Sequence, residues 1–340
     1  MRGDQVTTSS QPGEAYAAIS NERAPSGNRK WGVLAAVGVG TFMSALDGSV
    51  VNTVLPVLSA AFDAPIATIE WVIVVYLLVV SGLLLSFGRL GDLRGHKVVY
   101  LAGFGVFVTA SALCGLAPSA TALIAARALQ AVGAAMLFAN SPAILTKTFP
   151  AAQRGQALGL MGTMTYLGLT AGPSLGGWLA ERLGWHAVFF INVPVGALAL
   201  ALGARFIPHD RPETTGERFD LPGAIAFTGG LVALLLGLNQ GYALGWGSLP
   251  ILALMIAAAV LLGVFLLVER RTPFPMLDLS LFRSRLFSAA VASAVLNYVC
   301  VYSILFLLPF YLIQGRGLGP AEAGLVLTAQ PLVMAVAAPL

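Results

Sequence analysis

Charged residues are scarce in this chain. Asp, Glu, Lys and Arg make up 10% of its 340 residues, whereas 57% are hydrophobic, and a soluble domain usually has about 25% charged residues. So few charges cannot cover a water-facing surface. Together with a mean hydropathy of +0.84, the composition predicts an integral membrane protein that has the lipid bilayer as its solvent.

Residues for metal or thiol chemistry are also few. The two cysteines, Cys114 and Cys300, lie in separate apolar runs without CxxC spacing, and the three histidines, His96, His186 and His209, lie in three different loops. This pattern favours neither a disulfide framework nor a zinc site. We therefore expect no metal site and no cofactor.

Long apolar runs alternate with polar segments, which predicts an all-α fold with about ten transmembrane helices. The runs cover 31–58, 71–87, 98–117, 121–142, 156–179, 187–206, 221–238, 249–268, 286–312 and 322–340. Most of the 19 Lys and Arg residues precede the first run or follow an even-numbered one, so the N-terminus is predicted to be cytoplasmic. The net charge of +4 is explained by this topology, and we expect no nucleic-acid partner.

Two charged residues lie deep inside apolar runs: Asp47 in LDGSVVN and Arg127 in ARALQAVG. Each costs about 2.5–3.5 kcal/mol at a helix centre, so each should face protein or water. At 1.5 Å of rise per residue, Asp47 lies about 24 Å from the cytoplasmic face and Arg127 about 9 Å from the outer face, at similar depths. The pair is either a buried ion pair that fixes packing or a titratable carboxylate of a transport cavity, and we favour the cavity. Other candidate polar groups of this cavity are Asn52, Tyr76, Gln130, Asn140, Asn297 and Tyr298.

The segment between the second and third runs reads GRLGDLRGHK, residues 88–97. Its glycines permit a tight turn, and its charges can pair with charges or helix ends elsewhere. The motif residues are Gly88, Asp92, Arg94, Gly95 and Lys97. They resemble the loop signature of the major facilitator superfamily, except that Leu93 and His96 stand where that family usually has arginine.

The fifth run is rich in glycine, with Gly159, Gly168, Gly172, Pro173, Gly176 and Gly177 in a fixed spacing. Gly168, Gly172 and Gly176 share one helix face and permit close approach of another helix, while Pro173 bends the helix. The face is either a static packing interface or part of the transport machinery. This spacing resembles the helix signature of the fourteen-helix drug/proton antiporter branch of the same superfamily, as do LDGSVVNTVLP, RALQAVGAA and GWHAVFFINVPVG elsewhere. The resemblance implies a tight, uncharged seam between two helical bundles.

The same resemblance implies a domain organisation. Residues 31–206 are expected to form an N-terminal six-helix bundle, and residues 1–30, by their polar, Ser/Gly/Pro-containing composition, a disordered cytoplasmic tail. Residues 207–270 then form a cytoplasmic linker plus two inserted transmembrane helices. Residues 271–340 begin a C-terminal bundle, which we expect to be incomplete because the chain stops within its tenth run.

The function implied by the resemblance is a proton-coupled multidrug or small-molecule efflux antiporter in the cell membrane, and not an enzyme. Two bundles rock around a central site, the proton gradient supplies the energy, and Asp47 exchanges a proton beside Arg127 while a lipophilic or cationic substrate is exported. Two alternatives share the fold: an exporter of one metabolite or toxic product, and a truncated membrane protein that does not transport. A lipid-modifying enzyme is disfavoured, because the sequence has no cofactor motif after a strand.

Overall fold

The computed structural model describes residues 27–210, 217 and 219–317, together with positions 326, 329 and 333. Every regular element among these residues is a helix, so the predicted all-α fold is confirmed. The predicted tail residues 1–26 and most of the tenth run, 322–340, lie outside the described residues.

The first six predicted runs form eight helices. They are α1 (Gly27–Phe62), α2 (Ile66–Ile69), α3 (Trp71–Arg94), α4 (His96–Gly115), α5 (Ala120–Thr148), α6 (Ala151–Leu183), α7 (His186–Phe190) and α8 (Asn192–Phe206). The later part contains α9 (Leu221–Leu244), α10 (Leu249–Arg271), a 3-10 helix (Leu279–Arg283) and α11 (Arg285–Phe310).

Seven described segments are long and apolar enough to cross a membrane. They contain α1, α2 with α3, α4, α5, α7 with α8, α9 and α10. At 33 residues α6 is also long enough, but its glycine and hydroxyl residues make it less apolar. The apolar stretch of α11, 285–301, is shorter.

The start of α1 lies inside the segment predicted to be a disordered tail. Its first turn is tied to neighbouring helices, since Lys30 Nζ donates to Gln153 Oε1 on α6 (2.7 Å) and Arg29 Nε donates to the Phe206 carbonyl on α8 (3.4 Å). These two contacts hold the chain in helix from Gly27 onward.

Helices α1 to α8 pack around two apolar clusters. One contains Met43, Tyr100 and Phe104, and the other contains Val50 and Phe189. Along α1, Asp47 falls between residues of the first cluster and residues of the second. The candidate site therefore lies where the two clusters meet, surrounded by packed side chains.

The glycine face of α6 packs against α1. A Cβ atom at Gly168 would lie 2.6 Å from the Phe42 carbonyl oxygen and 2.9 Å from Ala45 Cβ, and one at Gly176 would lie 3.2 Å from the Val50 carbonyl oxygen. Only residues without a side chain permit this approach. The expected seam between bundles is therefore, in the described structure, a contact inside the six-helix part.

Pro173 interrupts the hydrogen bonding of α6 at this contact. Proline has no N–H, so the Leu169 carbonyl one turn earlier loses its normal helical donor. Ser49 Oγ on α1 donates to that carbonyl instead, at 2.8 Å. The proline and its replacement donor thus join the two helices across the seam.

Helices α9 and α10 form a hairpin that packs on α3 through α9. Thr228 Oγ1 donates to the Gly82 carbonyl at 2.8 Å, and the Asp220 side chain caps α9 by accepting from the Gly223 N–H at 3.0 Å. In contrast, α11 is largely exposed, and its main described contacts are with the 3-10 helix before it and with a short π-helix after it, Tyr311–Gly315.

Candidate functional site

Asp47 is the centre of a buried polar cluster on α1 and is only 2% exposed. Its carboxylate accepts three hydrogen bonds. Arg127 Nη1 donates to Oδ2 at 2.6 Å, while Gln130 Nε2 and Asn192 Nδ2 donate to Oδ1 at 3.0 and 2.7 Å. Every partner is a donor, which fits an ionised carboxylate.

Arg127 on α5 is 1% exposed and is held from several sides. Besides the bond to Asp47, its Nε donates to the Val72 carbonyl at 3.2 Å and its Nη1 contacts Gln130 Oε1 at 2.6 Å. The guanidinium carbon lies 4.2 Å from the ring centroid of Tyr76, a cation–π geometry. The positive charge therefore has carbonyl, amide, carboxylate and aromatic neighbours and almost no contact with solvent.

Gln130 uses both ends of its amide. Its Nε2 donates to Asp47 and also to Ser111 Oγ at 2.6 Å. Its Oε1 accepts from Arg127 and from the Cys114 thiol, whose Sγ lies 3.7 Å away. Gln130 thus links the ion pair to α4 and has little freedom to turn.

Asn192 reaches Asp47 from a break in the sixth predicted run. Helix α7 ends at Phe190 and α8 begins at Asn192, with Ile191 between them. Pro194 lacks an N–H, and its ring is incompatible with the carbonyl four residues earlier, that of Phe190, so continuous helical hydrogen bonding is not possible here. At this point the Asn192 side chain, 1% exposed, lies against the carboxylate.

The arrangement is electrostatically balanced but sensitive to change. A buried ion pair with all donors satisfied is tolerated, whereas removal of one partner leaves an uncompensated charge at a cost of about 3–5 kcal/mol. Proton uptake by Asp47 would remove its negative charge and leave the buried positive charge of Arg127 uncompensated. The charges of Asp47 and Arg127 therefore depend on each other for compensation.

Two open surface grooves lie away from Asp47. One, of about 540 Å³, lies at the far end of α1 beside Pro56 and Ile66, and another, of about 440 Å³, lies beside Asp220 and Arg271. The burial of Asp47 shows that its carboxylate is closed to solvent in this conformation.

The other predicted cavity residues lie in several places. Tyr76 and Gln130 belong to the cluster around Asp47. Asn52 is exposed and donates to the Gly48 carbonyl of its own helix at 3.2 Å. Asn297 and Tyr298 lie on the exposed helix α11.

Asn140 lies on α5, away from Asp47, and contacts the loop motif. Its Oδ1 lies 2.8 Å from His96 Nδ1, and its Nδ2 donates to the Phe87 and Met136 carbonyls. His96 Nε2 lies 3.4 Å from Asp92 Oδ1. Histidine and asparagine thus form a compact polar contact where the resembled family usually has arginine.

The linker after α8 holds the loop motif in place. Asp210 accepts from the backbone N–H groups of His96 (2.6 Å) and Lys97 (3.2 Å) at the start of α4. Lys97 Nζ donates to the carbonyls of Ala204 (3.1 Å) and Ile207 (2.6 Å) at the end of α8. An acidic side chain at the start of a helix and a basic side chain at the end of a helix are both favourable. The motif thus contacts a helix end within its own six-helix part.

Other loop-motif residues have distinct surroundings. Gly95 has φ +92°, a left-handed conformation that strongly favours glycine, and it joins α3 to α4. Arg89, within the motif, pairs with Glu217 of the linker. Arg94 is exposed, and a Cβ atom at Gly88 would have open space.

The residues that sequence reasoning missed at these sites include Asn192, Ser111 and Asp210. Asn192 offered a signal, because a polar residue two positions before a proline inside an apolar run is typical of an interrupted, cavity-lining helix. Ser111 and Asp210 offered none, since a lone serine in a membrane helix and an acid in a linker are ordinary features.

Comparison with known proteins agrees with the fold. The riboflavin transporter RibZ of Clostridioides difficile (strain 630) is 37% identical over 312 residues, which cover 92% of this chain and 67% of that protein. The tetracenomycin C resistance and export protein of Streptomyces glaucescens is 35% identical over 311 residues, 92% of this chain and 58% of that protein. The solved structure of the proton:xylose symporter XylE gives a TM-score of 0.58 at 14% identity, covering 91% of this chain and 69% of that one, which shows the fold alone.

This chain therefore spans 67% and 58% of the length of these two curated relatives. The family model described as Major Facilitator Superfamily matches residues 37–340, a range that includes α1 to α11 almost completely. Membership confirms the prediction of a multi-pass protein of the cell membrane. The chain belongs to the Major Facilitator Superfamily, within its drug-transporter branch.

Proposed function

We propose that this protein is a proton-coupled exporter of drugs or other small molecules, an antiporter that works by alternating access. The observation that carries the proposal is the buried Asp47–Arg127 ion pair, with side chains 0% and 1% exposed and a contact of 2.6 Å. An ionisable pair inside a membrane is costly and is typical of proton or substrate pathways.

In the proposed cycle, ionised Asp47 joins α1 to α5 and α8 through Arg127, Gln130 and Asn192. Protonation removes the negative charge that those three donors share. Because an unpaired Arg127 is costly by about 3–5 kcal/mol, the neutral state favours a conformation in which Arg127 finds water or another acceptor. Proton binding thereby biases the equilibrium between two packings of the helices.

A cationic substrate fits the same cycle. When the cavity opens, a lipophilic cation competes with Arg127 for the carboxylate of Asp47, and protonation from the outside releases it. The name of the Streptomyces glaucescens relative, a resistance and export protein, supports an exported drug-like substrate.

A second candidate substrate class follows from the other relative. The 37% identity to a riboflavin transporter supports a flavin-like vitamin or metabolite on the same fold. Such a substrate is planar and aromatic and carries no cationic group, so it would not depend on attraction to Asp47 for binding.

The experiment is an efflux panel in cells that produce the protein. Cells are loaded with lipophilic cations, neutral antibiotics and riboflavin, and efflux is followed with and without a protonophore. We expect protonophore-sensitive efflux of at least one lipophilic cation. Efflux that persists after the proton gradient has collapsed would refute proton coupling, and transport of riboflavin alone would favour the second candidate.

A further inference from the structure

We propose that Asn192 is a positioning residue that turns its side-chain amide when Asp47 takes up a proton, changing from a donor to an acceptor. The inference rests on the proposed proton-coupled function. It assigns a specific role in the proton step to a residue at the break between α7 and α8.

The hydrogen-bonding pattern around Asp47 creates the need for an acceptor. The carboxylate now receives three N–H donors, from Arg127, Gln130 and Asn192. A protonated Asp47 has an O–H group that must donate, and leaving it without a partner in a buried site is destabilising. At least one of the present donors must therefore be replaced by an acceptor.

Two of the three partners are unable to make this change. Arg127 has only donors. Gln130 has Nε2 committed to Ser111 and Oε1 committed to Arg127 and Cys114, so turning its amide would break these contacts.

Asn192 is able to turn without breaking a second described side-chain hydrogen bond. The one side-chain hydrogen bond described for it is the bond from Nδ2 to Asp47 Oδ1, at 2.7 Å. Rotation of the terminal amide exchanges nitrogen and oxygen at nearly the same place, and this torsion has broad, roughly two-fold minima. After rotation, Oδ1 of Asn192 lies where Nδ2 now lies, within reach of an Asp47 hydroxyl.

The titratable groups around Asp47, apart from Arg127, have no described hydrogen bond to its carboxylate, whereas Asn192 already contacts it at 2.7 Å. Tyr76 on α3, Cys114 on α4 and Arg127 on α5 face Asp47 closely enough to interact electrostatically with it. The charged residues of α6 and α8 lie towards helix ends, at Arg154, Glu181, Arg182 and Arg205. Among the described side chains, Asn192 is the amide best placed to follow the proton.

The position of Asn192 links this local turn to the backbone. It is the first residue of α8, directly after the interruption at Ile191. The change from donor to acceptor at this point alters the contact that holds the start of α8 to α1. Proton uptake on α1 is thus communicated to α8 through a single side chain.

The test is infrared difference spectroscopy of the purified protein in lipid, with the asparagine side-chain carbonyls labelled with ¹³C. Spectra are compared across about pH 5 to pH 9, and the carboxyl C=O band of protonated Asp47 is assigned by its loss in Asp47→Asn. We expect a labelled amide C=O band to move to lower frequency as this carboxyl band appears, since the amide oxygen then accepts a hydrogen bond.

Three variants make the assignment. Asn192→Leu should remove the moving amide band and shift the carboxyl band, whereas Asn239→Leu, at an exposed asparagine of α9, should leave both unchanged. Asn192→Ser has a hydroxyl that both donates and accepts, and should restore the carboxyl band towards its wild-type position. We also expect proton-coupled export to fall about tenfold or more in Asn192→Leu and to recover in part in Asn192→Ser.

The outcomes separate the inference from the function on which it rests. One outcome is that an Asp47 carboxyl band appears as the pH is lowered while the amide band is the same in wild type and Asn192→Leu. In that case the proposed turn of Asn192 is wrong, whereas proton binding at Asp47 is supported. If the pH range gives no carboxyl band that Asp47→Asn removes, the proton-coupled function itself is wrong.

Discussion

The contact between α1 and α6 gives a prediction whose size follows from the structure. In Gly168→Ala, the new Cβ atom would lie 2.6 Å from the Phe42 carbonyl oxygen, 2.9 Å from Ala45 Cβ and 3.0 Å from the Leu46 nitrogen. Ordinary contacts start at 3.4 Å, and these neighbours are backbone atoms and a Cβ that are unable to rotate away. The two helices must therefore separate by close to 1 Å, and over-packing of this kind costs about 1–3 kcal/mol.

The same helix supplies a matched control. Cβ atoms at Gly162 and Gly177 would meet nothing within 4 Å, so Gly162→Ala and Gly177→Ala make the same chemical change without a collision. A glycine-to-alanine change inside a helix otherwise stabilises it by up to about 1 kcal/mol. We expect the controls to be neutral or slightly stabilising and Gly168→Ala to be the one destabilised variant of the three.

The assay is reversible unfolding in mixed lipid–detergent micelles by titration with sodium dodecyl sulfate, which gives a free energy of unfolding for each variant. We expect Gly168→Ala to lie about 1–3 kcal/mol below Gly177→Ala. Equal free energies for these two variants would refute the close packing of α6 on α1.

Two further predictions concern the backbone. Ser49→Ala should destabilise the protein by about 1 kcal/mol. The loss should be smaller in a Pro173→Ala background, because residue 173 then donates its own N–H to the Leu169 carbonyl. A double-mutant cycle of unfolding free energies measures this difference, and additive effects of the two substitutions would contradict the link between Ser49 and Pro173. Gly95→Ala should destabilise the protein more than Gly245→Ala. Both glycines have positive φ, 92° and 87°, so both substitutions strain the backbone. A Cβ atom at Gly95 would in addition lie 3.1 Å from the carbonyl oxygen of Asp210 in the linker. Equal losses in thermal melts would contradict that contact.

Much of the helical architecture follows from the sequence. Apolar runs of membrane-spanning length predict helices because backbone polar groups in lipid must bond internally. The depths of Asp47 and Arg127 follow from the rise per residue, and the structure places the two side chains 2.6 Å apart. Because a charge in lipid is costly, two opposite charges at the same depth predict an ion pair.

Which helices and side chains contact each other was less predictable from the sequence. The glycine face of α6 indicated close approach of some helix, but the sequence does not say which one, since Ala45 and Ser49 on α1 are small residues like many others. Asn192 was missed although Pro194 two positions later marks an interrupted helix, because the sequence does not say which helix its side chain contacts. Asp210 was missed because it contacts α4 across more than a hundred residues of sequence, a separation that no local pattern reports.

The central claim is that Asp47 couples export to protons, and Asp47→Asn tests it most directly. The protein is reconstituted in vesicles, and two activities are compared: uphill transport driven by a pH gradient, and exchange of labelled for unlabelled substrate without a gradient. The account predicts that Asp47→Asn loses gradient-driven transport while it still exchanges an uncharged substrate, because the asparagine neither takes up nor releases a proton. Gradient-driven transport at the wild-type rate in Asp47→Asn would contradict the claim.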